Sequence, residues 1–414
     1  MLANSFFSKT FLYLYAFLYI FNPGNFFSFN LMYLLGVFAI GYFFINISQT
    51  LTYLSSKRVL IFISICLLFF MYLFVLYLFG ADDALLRGYS FLLIILSLLC
   101  ALTILSIYSK IYSCNFKDFC DFIIKVGAIQ LFFVILALTV PAFRDWTLAT
   151  ARQNSIQDIS NDFGSGLRSF GLATGYTSTF PMLMGLCSLL SVYYFIFSKK
   201  ISEKITYLFL FLGMILSVIL NARIGLVPIA LWLIVSPLYL LYKRKVKLFI
   251  LLVLMFSLGF IFIGIDYLQT DYFFRLMQGV EELKKLSEGK STGTFETLSY
   301  MWFFPEDIMH FLWGEGKIIV GAYPVGSDIG LIQDIFMFGL VPTVFLGFIL
   351  LYFLNPLFKN ISKTFGTFFF LIFICSLFLY YLKGMNFYSN EVSNTVLLLA
   401  VFSIFTYNDM KSVK

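Results

Sequence analysis

The sequence predicts an all-α polytopic membrane protein with about 12 transmembrane helices, both termini cytoplasmic, and one long outer loop between helices 9 and 10. Three observations carry that expectation. First, 61% of the residues are hydrophobic, only 12% are charged, and the mean hydropathy is +0.94, whereas a soluble domain carries about 25% charged residues. Second, the apolar runs are long. A helix crossing a hydrocarbon core of about 30 Å needs roughly 20 residues, and this chain offers that length repeatedly. Third, the gaps between runs alternate in character. One set is lysine-rich: Lys57-Arg58, Lys110/Lys117, Lys199-Lys200/Lys204, Lys243-Arg244-Lys245/Lys247, Lys359/Lys363 and the Lys411/Lys414 tail. The other set holds 17 of the 21 acids and six of the eight arginines. Positive charge is retained on the cytoplasmic side of membrane proteins, so the lysine-rich gaps face inward.

In chain order the expected spans are 8–23, 28–47, 59–79, 88–108, 119–140, 175–197, 205–221, 225–242, 248–265, 327–354, 365–382 and 391–407. The first two are joined by Asn22-Pro23-Gly24-Asn25, a tight turn because Pro and Gly end one helix before the next begins. The first apolar run, about 11–22, lacks a small-residue cleavage site and leads into further spans, so it is expected to remain as a span. Residues 1–414 form a single membrane domain, with two long outer segments, 142–174 and 266–326, inside it. The first is rich in Gly, Ser and Asn. The second carries an amphipathic stretch from Tyr272 to Leu286 that suits a membrane surface. About sixty residues without a span is too long for a mere connector, so this loop is expected to form a cap leaning on the bundle. The tenth span holds Gly339-Leu340-Val341-Pro342, where the proline is expected to kink the helix. Asp328 opens that span, and Asp334 lies about 9 Å deeper, a costly depth for a carboxylate without a partner.

Several classes of function are disfavoured. The net charge of +7 sits mainly on the inner loops, which argues for topology and lipid contact rather than nucleic-acid binding. The six cysteines fall in spans or inner loops, and His310 is the sole histidine, so neither an outer disulfide framework nor a metal-ligand cluster is expected.

Arginine on the outer face runs against the charge rule and points to an anionic ligand. In Asn221-Ala222-Arg223-Ile224-Gly225 the arginine occupies the turn between two apolar spans. Its guanidinium offers a fork of donors matched to phosphate oxygens; the alternative is an arginine that merely reaches the lipid headgroups. In Gly166-Leu167-Arg168-Ser169-Phe170-Gly171-Leu172 glycines let the backbone approach a ligand, although an ordinary arginine on a loop would look the same. Leu312-Trp313-Gly314-Glu315-Gly316 offers an indole face to a sugar or, equally, an interfacial anchor. His310, beside Phe311 and Trp313, reads as an interfacial or packing residue.

These pieces, in this order, resemble the O-antigen polymerase family (Wzy) within the polymerase–ligase superfamily. The matching residues are Arg168–Leu172, Asn221–Gly225, Gly314–Gly316 and Ser327-Asp328 with Gly339. The ligase branch would carry a His-Asn-type pair where this chain has Ser327-Asp328. The resemblance implies a metal-independent glycosyltransferase without cofactor, on the periplasmic face of a bacterial inner membrane. It would polymerise repeat units carried on undecaprenyl diphosphate, with a chain-length regulator protein as a further partner. The alternatives are an O-antigen ligase and a repeat-unit flippase or transporter. Under this reading Arg223 stabilises the leaving diphosphate and Asp328 accepts the acceptor's hydroxyl proton. Arg168, Arg275 and Lys317 grip the substrate, and Trp313 stacks on sugar.

Overall fold

Helix boundaries in this chain follow its capping residues and glycines. The computed structural model describes residues 6–23, 31–150, 169, 171–173, 178–242, 250, 288, 299–319, 326–384 and 390–412. No strand occurs among them. In order they form α1 (Phe6–Phe21), α2 (Leu31–Ile45), α3 (Ile47–Leu54), α4 (Lys57–Leu78), α5 (Asp82–Ile111), α6 (Phe116–Thr139) and α7 (Pro141–Thr150). Next come α8 (Thr179–Phe197), α9 (Ile201–Asn221), a 3₁₀ turn (Arg223–Leu226) and α10 (Val227–Tyr242). The chain continues with α11 (Ile308–Trp313), α12 (Gly330–Phe338), α13 (Leu340–Phe365), α14 (Thr367–Leu382) and α15 (Glu391–Ser412).

Local chemistry accounts for several of these limits. Asp82 and Asp83 open α5 and Lys110 closes it, each favourable to the helix dipole. Asn115 caps α6 by accepting the Lys117 N–H at 3.1 Å, and Asp307 caps α11 by accepting the His310 N–H at 3.0 Å. Pro141 occupies the first position of α7, where its missing N–H costs nothing.

Among the described residues six helices (α4, α5, α6, α8, α9 and α13) are long and apolar enough to cross a membrane, and a seventh span results if α2 and α3 count as one broken pair. Shorter apolar helices accompany them. The chain is thus an all-helical, multi-pass membrane protein. Leu68, Met71, Phe209, Phe348 and Leu351 stand exposed on its flanks, the arrangement expected where the surrounding medium is lipid. α8 is the central helix. Gly185, Ser188 and Ser191 on it let neighbours approach closely, and nearly all of it is buried.

Contacts sort the helix ends into two sets. At the lysine-rich end, the Tyr207 hydroxyl donates to Asp121 at 2.5 Å, the Tyr193 hydroxyl to the Thr364 carbonyl at 3.1 Å, and Asn360 to Thr406 at 3.2 Å. The acid-bearing end collects the starts of α5, α8, α12 and α15 and the finishes of α6, α9 and α14.

The structure corrects three expectations. The second span is shorter than 28–47: α2 ends at Ile45, and the chain bends by 109° at Asn46 into α3. The fourth begins at Asp82 rather than 88, which brings Arg87 inside the helix. The tenth is not kinked by Pro342. It is broken at Gly339, which has φ +85°, while Pro342 sits harmlessly in the first turn of α13. The expected ninth span (248–265), apart from Ile250, and the Tyr272–Leu286 stretch lie outside the described residues.

Candidate functional site

The acid-bearing end holds three groups of polar side chains. The first forms around the turn after α9. Asn221 is the last residue of α9 and is buried; its Nδ2 donates to the Ser217 carbonyl at 2.7 Å and, across 52 positions of sequence, to the Ser169 carbonyl at 2.6 Å. Ser169 in turn donates its hydroxyl to the Val134 carbonyl on α6 at 2.9 Å. Gly171, with φ +59°, presses on the same stretch of α6; a Cβ there would lie 3.0 Å from the Val134 nitrogen. On the other side of the turn Gly225 meets the Pro181 carbonyl, and its own carbonyl fills the space beside Gly185. Neither glycine has room for a side chain.

Two sequence motifs therefore converge. Ser169 follows Arg168 directly, and Asn221 precedes Arg223 by two residues. Arg168 and Arg275 lie outside the described residues, and Arg223 is described as backbone only, in the 3₁₀ turn.

The second group is a buried ion pair. Arg87 Nη2 on α5 lies 3.2 Å from Asp334 Oδ1 on α12, with both side chains almost wholly enclosed. The Tyr381 hydroxyl on α14 donates to the second carboxylate oxygen at 2.9 Å. The guanidinium also stands 5.7 Å from the centre of the Phe338 ring. Charge buried at this depth is tolerable only when paired, and these contacts tie α5, α12 and α14 together.

Around the break at Gly339 the loop preceding α12 is clasped to the bundle. Gly314 (φ +83°) and Gly339 are reciprocal: a Cβ on either would run into the other's backbone. The Glu315 N–H donates to the Phe336 carbonyl at 2.8 Å, and the Tyr72 hydroxyl bonds both the Trp313 carbonyl and, at 3.2 Å, that of Phe338. Gly316 packs on Ala81 and Ala84, and the Ile318 N–H donates to Asp83 at 3.1 Å. The described part of the loop thus leans on α4, α5 and α12.

The remaining expected site residues lie on the clasped loop and at the entrance of α12. Trp313 exposes its indole, as a stacking surface must. Lys317 pairs with Glu315 at 2.5 Å, and His310 Nδ1 stands 3.8 Å from Asp307 and 3.9 Å from Glu315 at an exposed position. Asp328 is half-exposed and accepts from Lys383 Nζ at 3.3 Å. Ser327 beside it is buried and structural, its hydroxyl donating to the Met301 carbonyl at 3.0 Å.

A third group escaped the sequence reading. Glu391, at the start of α15, is buried and accepts the Thr179 hydroxyl at 2.5 Å from the start of α8. Thr179 is two residues from Pro181, which touches Gly225. An acid opening an apolar run reads from sequence as a simple helix-dipole partner; only packing shows that it is enclosed. Arg87 was legible as one of the arginines on the anionic face, but not as the partner of Asp334.

No family model matches the chain, and neither a curated protein nor a solved structure matches it. What these groups can do is therefore argued from their own chemistry: a loop segment and a turn linked through Asn221, a half-exposed carboxylate paired with Lys383, and an exposed Trp313.

Proposed function

We propose that this protein is a membrane glycosyltransferase that polymerises oligosaccharide repeat units carried on undecaprenyl diphosphate, at the periplasmic face of a bacterial inner membrane. The observation that carries the reading is the hydrogen bond between Asn221 and Ser169, which joins the two segments bearing Arg168 and Arg223. Two guanidinium-bearing segments at the acid-bearing, lysine-poor end of a lipid-embedded bundle suit a ligand with an apolar tail and a diphosphate head. Lysine sorting makes that end the periplasmic one.

In the reaction, a hydroxyl of the acceptor repeat unit attacks the anomeric carbon of the donor glycan. The bond from that carbon to the diphosphate oxygen breaks, and negative charge grows on the departing lipid diphosphate. Cations fixed beside that oxygen stabilise the transition state more than the ground state. Arg223 takes this role, Arg168 assists, and Arg275 and Lys317 contribute from the loop. Asp328 accepts the hydroxyl proton; its exposure leaves it reachable by substrate, and Lys383 orients it. Trp313 offers its ring to the sugars. A chain-length regulator protein would act on this assembly from outside it.

A strain lacking the protein tests the reading. Lipid-linked repeat units should accumulate on the periplasmic side, with single repeat units but no long polymer transferred onward. Accumulation on the cytoplasmic side would mark a flippase instead, and completed polymer stranded on the carrier would mark a ligase.

A further inference from the structure

We infer that α3 does not cross the membrane but lies along the cytoplasmic leaflet, where it seats the protein on anionic phospholipid. α2 ends and α4 begins at the lysine-rich end, and the 109° bend at Asn46 turns the chain sideways between them. Asn46 fixes that bend. Its Nδ2 donates to the Tyr42 carbonyl at 3.2 Å, while its Oδ1 accepts from Lys110 Nζ at 2.9 Å. The same ammonium donates to the Tyr42 hydroxyl at 3.0 Å, and the Ser106 hydroxyl donates to Gln49 Oε1 at 2.9 Å. These bonds pin α3 to the stretch of α5 from Ser106 to Lys110. Measured along α5 from Asp83 at the acid-bearing end, that stretch lies about 35–40 Å away, at about 1.5 Å per residue. A hydrocarbon core is about 30 Å thick, and about 40–45 Å with its headgroups. The depth matches the inner headgroup layer.

The faces of α3 agree with that depth. With about 100° between successive residues, the helix divides into three sectors. Gln49, Thr50 and Tyr53 turn toward the protein and are partly or wholly buried. Ile47 and Leu51 are exposed side by side and continue the exposed Phe44 and Ile45 at the end of α2. Ser48 and Thr52 are exposed on the third side. An apolar strip beside a polar one suits the boundary between acyl chains and headgroups. Charge names the lipid. No Asp or Glu precedes Asp82 in the sequence, whereas Lys110 and Lys57, both exposed, stand near the two ends of α3. Lys110 directs two of its three N–H bonds at Asn46 and Tyr42, and the third is left for a phosphate. Basic residues at a membrane surface favour anionic headgroups.

The test uses the purified full-length protein in vesicles of phosphatidylcholine, with and without phosphatidylglycerol. The exposed Cys114 and Cys375 are changed to Ser; the other cysteines are buried. Nitroxide labels are then placed singly through Ile47→Cys, Ser48→Cys, Leu51→Cys and Thr52→Cys. Labels at 47 and 51 should collide mainly with oxygen dissolved in lipid, and labels at 48 and 52 mainly with a water-soluble nickel complex. Oxygen at all four positions would make α3 part of a span, and nickel at all four would place it in water. Either result overturns the inference. For the lipid, a bimane fluorophore on Leu51→Cys is quenched with brominated phosphatidylglycerol or brominated phosphatidylcholine. Quenching should favour the anionic lipid, by about fivefold in local concentration for each lysine. Lys57→Gln, an exposed change in the first turn of α4, should remove one such factor and leave the collision pattern intact. Equal quenching by the two lipids, or a preference untouched by Lys57→Gln, would overturn the assignment of anionic phospholipid.

Discussion

Arg87 and Asp334, 247 residues apart in sequence, meet as an enclosed ion pair whose second carboxylate oxygen is held by Tyr381. This contact fixes α12, the short helix that carries Ser327-Asp328 at its entrance, against α5 and α14. It also explains why a carboxylate stands so far inside an apolar run.

Breaking the pair on one side strands the other charge. Arg87→Met or Asp334→Asn should each destabilise the protein by about 3–5 kcal/mol, whereas the double change Arg87→Met/Asp334→Leu should cost distinctly less than either. Tyr381→Phe removes one hydrogen bond to a charged group and should cost about 1.5–3 kcal/mol. Thermal unfolding in detergent reads all four. A double loss equal to the sum of the two single losses would mean that the two side chains contribute independently.

The interlocked glycines give a second expectation. Gly314→Ala and Gly339→Ala place a Cβ on opposing backbone and force an alanine into backbone angles that are essentially glycine's alone, the latter worth about 1–3 kcal/mol. Both should release the 314–318 stretch to limited proteolysis. Gly347→Ala, with nothing near its Cβ, should leave the digestion pattern unchanged.

Asp328 and Lys383 are partly exposed, so their pairing adds little to stability, below about 1 kcal/mol. Function should separate them. Asp328→Asn should shorten the polymer ladder on a gel more than Asp328→Glu does, and Lys383→Ala, which removes only the group that orients it, should shorten it less than Asp328→Asn. Equal effects of Asp328→Asn and Lys383→Ala would reduce Asp328 to a partner of the lysine; indifference to both aspartate changes would make it scaffolding.

Arg223→Ala should lower polymerisation about a hundredfold, the loss expected for one preorganised donor. Arg223→Lys keeps the charge but not the fork of donors, and should still shorten the ladder at normal expression. Long polymer made by Arg223→Ala would remove this residue from the site.

Most helices were legible in the sequence because length and apolar composition are local properties. The misjudged boundaries share a cause. Arg87 looked like the edge of a span because an unpaired arginine belongs outside the membrane, yet its partner was hundreds of residues away. Pro342 looked like a breaker because its position within the helix was unknown, whereas in a first turn it breaks nothing; the glycine three residues earlier does. Asp334 was legible as a residue that needed a partner, but not which partner. The meeting of Ser169 with Asn221 was invisible for the same reason: each motif reads as arginine near glycine, and only packing shows that Asn221 bonds the Ser169 carbonyl. Glu391 gave no signal, since an acid at the start of an apolar helix is ordinary.

The most direct measurement is polymerisation in vitro by the purified protein. It would be supplied with lipid-linked repeat units isolated from a host strain lacking it, and compared with Arg223→Ala. The account predicts a ladder of products on carrier lipid, one undecaprenyl diphosphate released per bond formed, and loss of both in the variant. Intact, folded protein that leaves the repeat units unjoined, or a variant as active as the wild type, would contradict it.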